Sequence, residues 1–129
     1  MVKNYNLAIC VLAPNKNNVK GIIKFKTFSN KVKVMYEIYG LKDGEHGFHV
    51  HECGDLTDGC SSACAHFNPG NTVHGGRKSK VRHVGDLGNI KSKNGVSKGF
   101  FYDNIISLDY KHKNCILGRA VVVHKDVDD

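Results

Sequence analysis

Residues 4–13 read NYNLAICVLA and residues 19–28 read VKGIIKFKTF, two runs rich in β-branched and aromatic side chains on either side of a turn-forming stretch at 14–18. That arrangement predicts a β-hairpin. In the next run Val32, Val34, Tyr36 and Ile38 alternate with Lys31, Lys33 and Glu37. A period of two puts one set of side chains in a core and the other in water, so a third antiparallel strand is expected. Residues 40–44 then turn the chain into a fourth extended segment at 46–51. From about 52 to 82 the alternation stops and Gly, Asn, Ser, Cys and His dominate, which predicts a long loop. Loops of roughly 30 residues are uncommon inside a compact domain and are usually functional or disordered; the histidine content of this one favours function. Short strands are expected again at 83–90, 96–102 and 117–124, with turns at 93–95 and 111–114. No helical periodicity, repeat or low-complexity tract intervenes. The pattern predicts an all-β sandwich or barrel.

Composition narrows this reading. At 129 residues, with 40% hydrophobic and 24% charged, the chain is sized for one core, and a single domain over 1–129 is expected. No apolar run approaches the roughly 18 to 20 residues of a membrane helix. The start has only a short apolar stretch at 7–13, without a small-residue cleavage site. The expectation is a cytoplasmic chain without a membrane partner; the Lys- and Asn-heavy composition hints at an AT-rich genome, and hence host cytoplasm if the chain is virus-encoded. The net charge of +7 raises nucleic-acid binding. However, the lysines are spread through strands and turns, with no basic run or aromatic-interleaved helix, so no nucleic-acid partner is expected. A solvated surface, or long-range attraction of a small anion, accounts for the charge equally well.

The chemistry concentrates in the histidines. His49-Val50-His51 on a strand projects two imidazoles from one face, where they could grip one ion, although a wetted strand face explains such a pair as readily. His66, His74 and His83 lie in or beside the long loop, with Asp86 three residues past His83. Three imidazoles and one carboxylate form a closed tetrahedral set suited to zinc. His124 ends the last predicted strand.

These words resemble the copper/zinc superoxide dismutase family: His46-Gly-Phe-His-Val-His-Glu52, Gly59-Cys60, His66-Phe-Asn-Pro69, His74-Gly-Gly76, Arg82-His-Val-Gly-Asp-Leu-Gly-Asn89 and Gly118-Arg-Ala-Val-Val-Val-His124, collinear from about Ala8 to the last residue. The resemblance implies a flattened Greek-key barrel or sandwich, immunoglobulin-like, with a long metal-binding loop. It implies one copper per chain on His49, His51, His66 and His124, and one zinc per chain on His66, His74, His83 and Asp86. His66 is shared between them and, with His124, is the expected catalytic group. Imidazoles alone suit a redox-active copper, and an added hard carboxylate suits zinc. Asp128 matches a carboxylate that links a copper histidine to a zinc histidine, whereas His46 matches a structural histidine outside the metal set. The implied activity is dismutation of superoxide anion to dioxygen and hydrogen peroxide, with a homodimer as the assembly and a copper chaperone as a partner.

The sequence also departs from the family. The family's final strand, its active-site Arg and the Cys that pairs at the position of Cys60 have no counterpart up to Asp129. Two readings stay open: a truncated form of an ordinary enzyme, or a short, catalytically poor homologue that sequesters copper or occupies a chaperone as a decoy. Of the five cysteines, Cys53 and Cys64 stand where the family motif has other residues, and Cys53 falls in the stretch the family uses at its dimer contact. Cys60 could pair with either of them, pair between chains, or stay reduced.

Overall fold

The computed structural model describes residues 6–12 and 18–128, the side chain of Cys60 excepted. Seven strands form among the described residues: β1 (Leu7–Leu12), β2 (Lys20–Phe28), β3 (Lys31–Tyr39), β4 (Gly44–His51), β5 (Asp86–Ser92), β6 (Val96–Asp103) and β7 (Ala120–Val123). A short 3-10 turn at Gly59–Ala63 is the only regular piece described inside the long loop. Among the described residues no helix is long and apolar enough to cross a membrane.

All pairings between these strands are antiparallel. One sheet runs β1-β2-β3-β6 and the other β5-β4-β7. After β3 the chain passes to the second sheet, returns after β5 to lie beside β3, and crosses again to lie beside β4. Such crossovers between packed antiparallel sheets make a Greek-key sandwich. The hairpin of β2 and β3 turns through Ser29 and Asn30, and Ser29 takes the positive φ that such a tight turn requires.

The alternation read in the sequence decides what faces inward. Ile23, Phe25, Val32, Val34 and Ile38 from one sheet meet Phe48, Val50, Leu87 and Ile90 from the other. Phe48 packs edge-on against Phe101 and tilted against Tyr36, joining the two layers. Each such buried side chain contributes about 1.5–3 kcal/mol through its removal from water.

The starts of β5 and β7 fall three residues later than expected. The strand expected at 83–90 begins at Asp86, because 83–86 close a turn instead: the Asp86 N–H donates to the His83 carbonyl at 3.0 Å, and the His83 N–H donates to Asp86 Oδ2 at 2.9 Å. The strand expected at 117–124 shortens to Ala120–Val123. The lysines also prove less scattered than they look in one dimension. On the outer face of the first sheet Lys26 sits directly across from Lys33, with Lys24 one row away and Tyr102 on the far side of Lys33. Period-two geometry gathers onto one face charges that the linear sequence spaces apart.

The loop at 52–82 is tied down at its far end by a buried ion pair. Arg82 donates from Nη1 and Nη2 to the two carboxylate oxygens of Asp103, at 2.7 and 2.9 Å. Each residue is only 5% exposed. Two further donations from Arg82, to the Arg77 and Val84 carbonyls, fix the chain on either side of it.

Candidate metal centre

Three peptide groups hold the site together. The Val50 N–H donates to Gly85 O (2.9 Å), the Gly85 N–H to Phe67 O (2.9 Å) and the Phe67 N–H to Val50 O (2.8 Å). This ring of hydrogen bonds joins β4, the loop and the start of β5, the three segments that carry His49, His51, His66 and Asp86. It needs a glycine: a Cβ on residue 85 would stand 2.0 Å from the Val50 carbonyl oxygen.

On β4 the register slips between Gly47 and His49, yet His49 and His51 emerge on one face, and their rings lie 6.4 Å apart. His66 stacks on His49 with 4.1 Å between centroids. His124 stands at the end of β7, edge-on to His49 at 4.7 Å. One donor atom from each of His49, His51, His66 and His124 falls within 4.8 Å of the others. His49 Nδ1, His51 Nε2 and His124 Nε2 are all buried without a hydrogen-bond partner. Buried polar atoms are nearly always paired, and each orphan costs about 1–3 kcal/mol unless something else satisfies it. Three such lone pairs converging in one place fit a metal ion, and an all-imidazole donor set fits copper.

A second group lies behind the first. His66 Nδ1 is 3.0 Å from Asp86 Oδ1 and 3.2 Å from His83 Nδ1. His74 Nδ1 is 3.0 Å from Asp86 Oδ2, and His83 Nδ1 is 3.4 Å from Asp86 Oδ1. The donors that close within 4.8 Å of one another are those of His66, His74, Asp86 and His49. His83 joins through its contacts with His66 and Asp86, whereas Nε2 of His49 is committed to Asp128. Two imidazole nitrogens facing each other across a carboxylate fit a hard, tetrahedral cation such as zinc. With Nδ1 of His66 engaged here, Nε2 is the nitrogen that ring has left for the first group.

Outer contacts orient these rings. Asp128 Oδ1 lies 3.1 Å from His49 Nε2 and 2.9 Å from His74 Nε2, so one carboxylate oxygen links the two groups. Asp128 is itself aligned by its N–H donating to Asn89 Oδ1. Asp86 is fully buried and accepts the N–H groups of Gly75 and His83. Both ring nitrogens of His46 face carbonyls, those of His124 and Lys42, each at 2.8 Å. His46 therefore braces the site from outside the donor set. An open cavity of about 420 Å³ gives access, lined by His49, His66, His74, His83 and His124 together with Lys125 and Asp128.

Electrostatics keep the imidazoles in the form that binds cations. Burial first, then repulsion from His66 and His124, pushes His49 down to about 4 against the pull of Asp128. Burial likewise lowers His66 and His124. These rings are neutral at pH 7 and offer lone pairs. Burial lowers His74 too, but Asp86 and Asp128 together outweigh it and raise the group. Burial disfavours the Asp86 carboxylate, and the Gly75 and His83 N–H donors with His74 more than offset this, lowering it overall.

The structure thus brings His49, His51, His66, His74, His83, His124, Asp86 and Asp128 together. For the cysteines, a disulfide joins Cys53 to Cys64. It takes up both cysteines that the sequence offered as neighbours for Cys60, whose own side chain lies outside the described residues. Sequence reasoning did not find Asn89 or Gly85 as parts of the site. Both stand inside the quoted words around Arg82 and Asp86, but neither carries metal-binding chemistry that would single it out.

A family model described as copper/zinc superoxide dismutase (SODC) matches residues 19–129. The chain is 56% identical over 128 residues to a Cu-Zn superoxide dismutase of Paramecium bursaria Chlorella virus 1, covering 98% of this chain and 67% of that one. It is 49% identical over 123 residues to Cu-Zn superoxide dismutase A of Xenopus laevis, covering 95% and 80%. Among solved structures, the clock protein EA4 superposes with a TM-score of 0.93 at 43% identity, covering 100% of this chain and 81% of that one.

Proposed function

The chain belongs to the copper/zinc superoxide dismutase family, and from that premise we propose that its histidine cluster is the centre at which superoxide is dismuted. The protein is a superoxide dismutase, an oxidoreductase that uses copper and zinc. Two superoxide anions and two protons become one dioxygen and one hydrogen peroxide. In our assignment His49 would hold copper through Nδ1, His51 and His124 through Nε2, and His66 through the nitrogen its second-group contacts leave over. Zinc takes His66, His74, His83 and Asp86. Copper supplies one-electron chemistry by alternating between two oxidation states, and zinc supplies a fixed charge beside the shared ring.

The chain's own groups supply the rest. With Nδ1 committed to the second group, His66 would hold a proton at Nε2 whenever that nitrogen is not engaged in the first group, and would give it to the peroxide product. Asp128 keeps His49 and His74 in register through a single oxygen. Lys125, exposed at the rim of the cavity, draws in an anionic substrate. The observation that carries the reading is the set of three buried, partnerless nitrogens on histidines whose donor atoms cluster within 4.8 Å.

The proposal extends to one domain over 1–129 with its metal loop at about 52–82, a homodimer, metal delivery by a copper chaperone, and a cytoplasmic site of action, in host cytoplasm if the chain is virus-encoded. Leu7, Ile9 and Val11, exposed on edge strand β1, support self-association. The deciding experiment is superoxide decay per bound copper after loading with both metals and dialysis, with a His124→Ala control. Fast decay that disappears in the control is expected. Tightly bound copper with negligible decay would overturn the assignment in favour of a copper-sequestering decoy.

A further inference from the structure

The disulfide between Cys53 and Cys64 spans a separation of 11 residues and brackets the 3-10 turn Gly59–Ala63. It fastens the loop to the end of β4, where the Cys53 N–H donates to Ala63 O at 3.0 Å and the Glu52 N–H to Ala65 O at 2.8 Å. Cys64 has φ 66° and ψ −158°. That region is open essentially to glycine alone, and a residue with a Cβ stays there only when its surroundings hold it. The carbonyl of this strained residue lies 2.8 Å from Nδ1 of His51 and accepts its hydrogen bond. The bond sets the ring so that Nε2, buried and partnerless, faces the cluster.

A copper ligand is therefore oriented by a carbonyl whose direction depends on a backbone conformation that cysteine does not favour. We infer that the Cys53–Cys64 disulfide is a positioning device for His51: the covalent tie holds Cys64 in a glycine-like conformation and so keeps its carbonyl aimed at Nδ1. The inference rests on the assignment of His51 to copper. Reduction by a dithiol converts the S–S bond to two thiols, with two electrons and two protons supplied as the dithiol itself becomes a disulfide. Freed of the tie, Cys64 relaxes to negative φ, its carbonyl turns away and the His51 ring loses its alignment. Copper retention in this chain is accordingly sensitive to the thiol balance around it.

Glycine provides the test, because it adopts the required conformation without the bond. Cu(II) affinity is measured by chelator competition on the full chain, alongside the visible absorption of the bound copper and non-reducing peptide mapping. The proteins compared are the parent, Cys53→Ser/Cys64→Ser, Cys53→Ser/Cys64→Gly and His51→Ala. The serine pair is expected to bind roughly tenfold or more weakly, the usual cost of losing a group that orients a ligand, with a shifted absorption band. The glycine pair is expected to recover most of the parent's affinity and its band. If the glycine pair is as weak as the serine pair, the bond is only a loop staple and the inference fails. It fails equally if the serine pair binds like the parent, or if mapping finds no Cys53–Cys64 bond. A parent that does not hold copper, or a His51→Ala variant that binds unchanged, overturns the metal assignment itself and the inference with it.

Discussion

Asp103→Ala is expected to be among the most damaging single substitutions outside the metal cluster, although Asp103 touches no metal-binding residue. Its carboxylate accepts from Arg82 Nη1 and Nη2 at 2.7 and 2.9 Å, and from the N–H groups of Ile105 and Ile106 at 3.1 and 3.0 Å. Removing it strands a guanidinium that is only 5% exposed, and leaving one buried charge without its partner costs about 3–5 kcal/mol. Two orphaned peptide N–H groups add about 1 kcal/mol or more, for a total of about 4–6 kcal/mol. Domains of this kind are stable by only about 5–15 kcal/mol, so the metal-free variant should sit near its folding limit. In equilibrium urea unfolding of the metal-free protein, with m of about 2 kcal/mol/M, the midpoint should fall by about 2–3 M. Arg82→Met/Asp103→Leu should be less destabilised than Asp103→Ala, because the double change removes the buried charge along with its partner. A loss below about 1 kcal/mol for Asp103→Ala, with m unchanged, would refute the claim that this pair anchors the loop beside His83.

Gly85→Ala forces a Cβ to within 2.0 Å of the Val50 carbonyl oxygen; it should break the hydrogen-bond ring and cost about 3 kcal/mol or more, and a melting temperature equal to the parent's would contradict this. Asp128→Ala removes the one oxygen shared by His49 and His74, and metal affinity measured against a chelator should drop about 10- to 100-fold. Stripping both metals should lower stability by about 4 kcal/mol per ion held at 1,000 times its dissociation constant; calorimetry showing identical unfolding with and without metal would argue that no ion is bound where the partnerless nitrogens converge.

The fold was legible wherever a local rule governs it. Val32, Val34 and Ile38 are buried because alternation fixes their face whatever the partner strand. The donor types were legible as well, since His-x-His on a strand must share a side. The starts of β5 and β7 were not. Side-chain hydrogen bonds, such as Asp86 to the His83 N–H, turn the chain where apolar content alone suggested extension. Nor could spacing indicate how the cysteines pair, because that depends on how the loop folds back onto β4.

By itself, then, the sequence determined an all-β sandwich or barrel, a long polar loop and the residue types able to bind metal, consequences of periodicity and side-chain chemistry acting over a few positions. Only the tertiary structure decided which nitrogen of each imidazole is left free, that Asp128 spans both groups, that Cys53 meets Cys64, and that Lys26 pairs across from Lys33. Those outcomes depend on segments tens of residues apart being closed into contact. The packing that closes them comes from the whole core, and no short stretch of sequence encodes it.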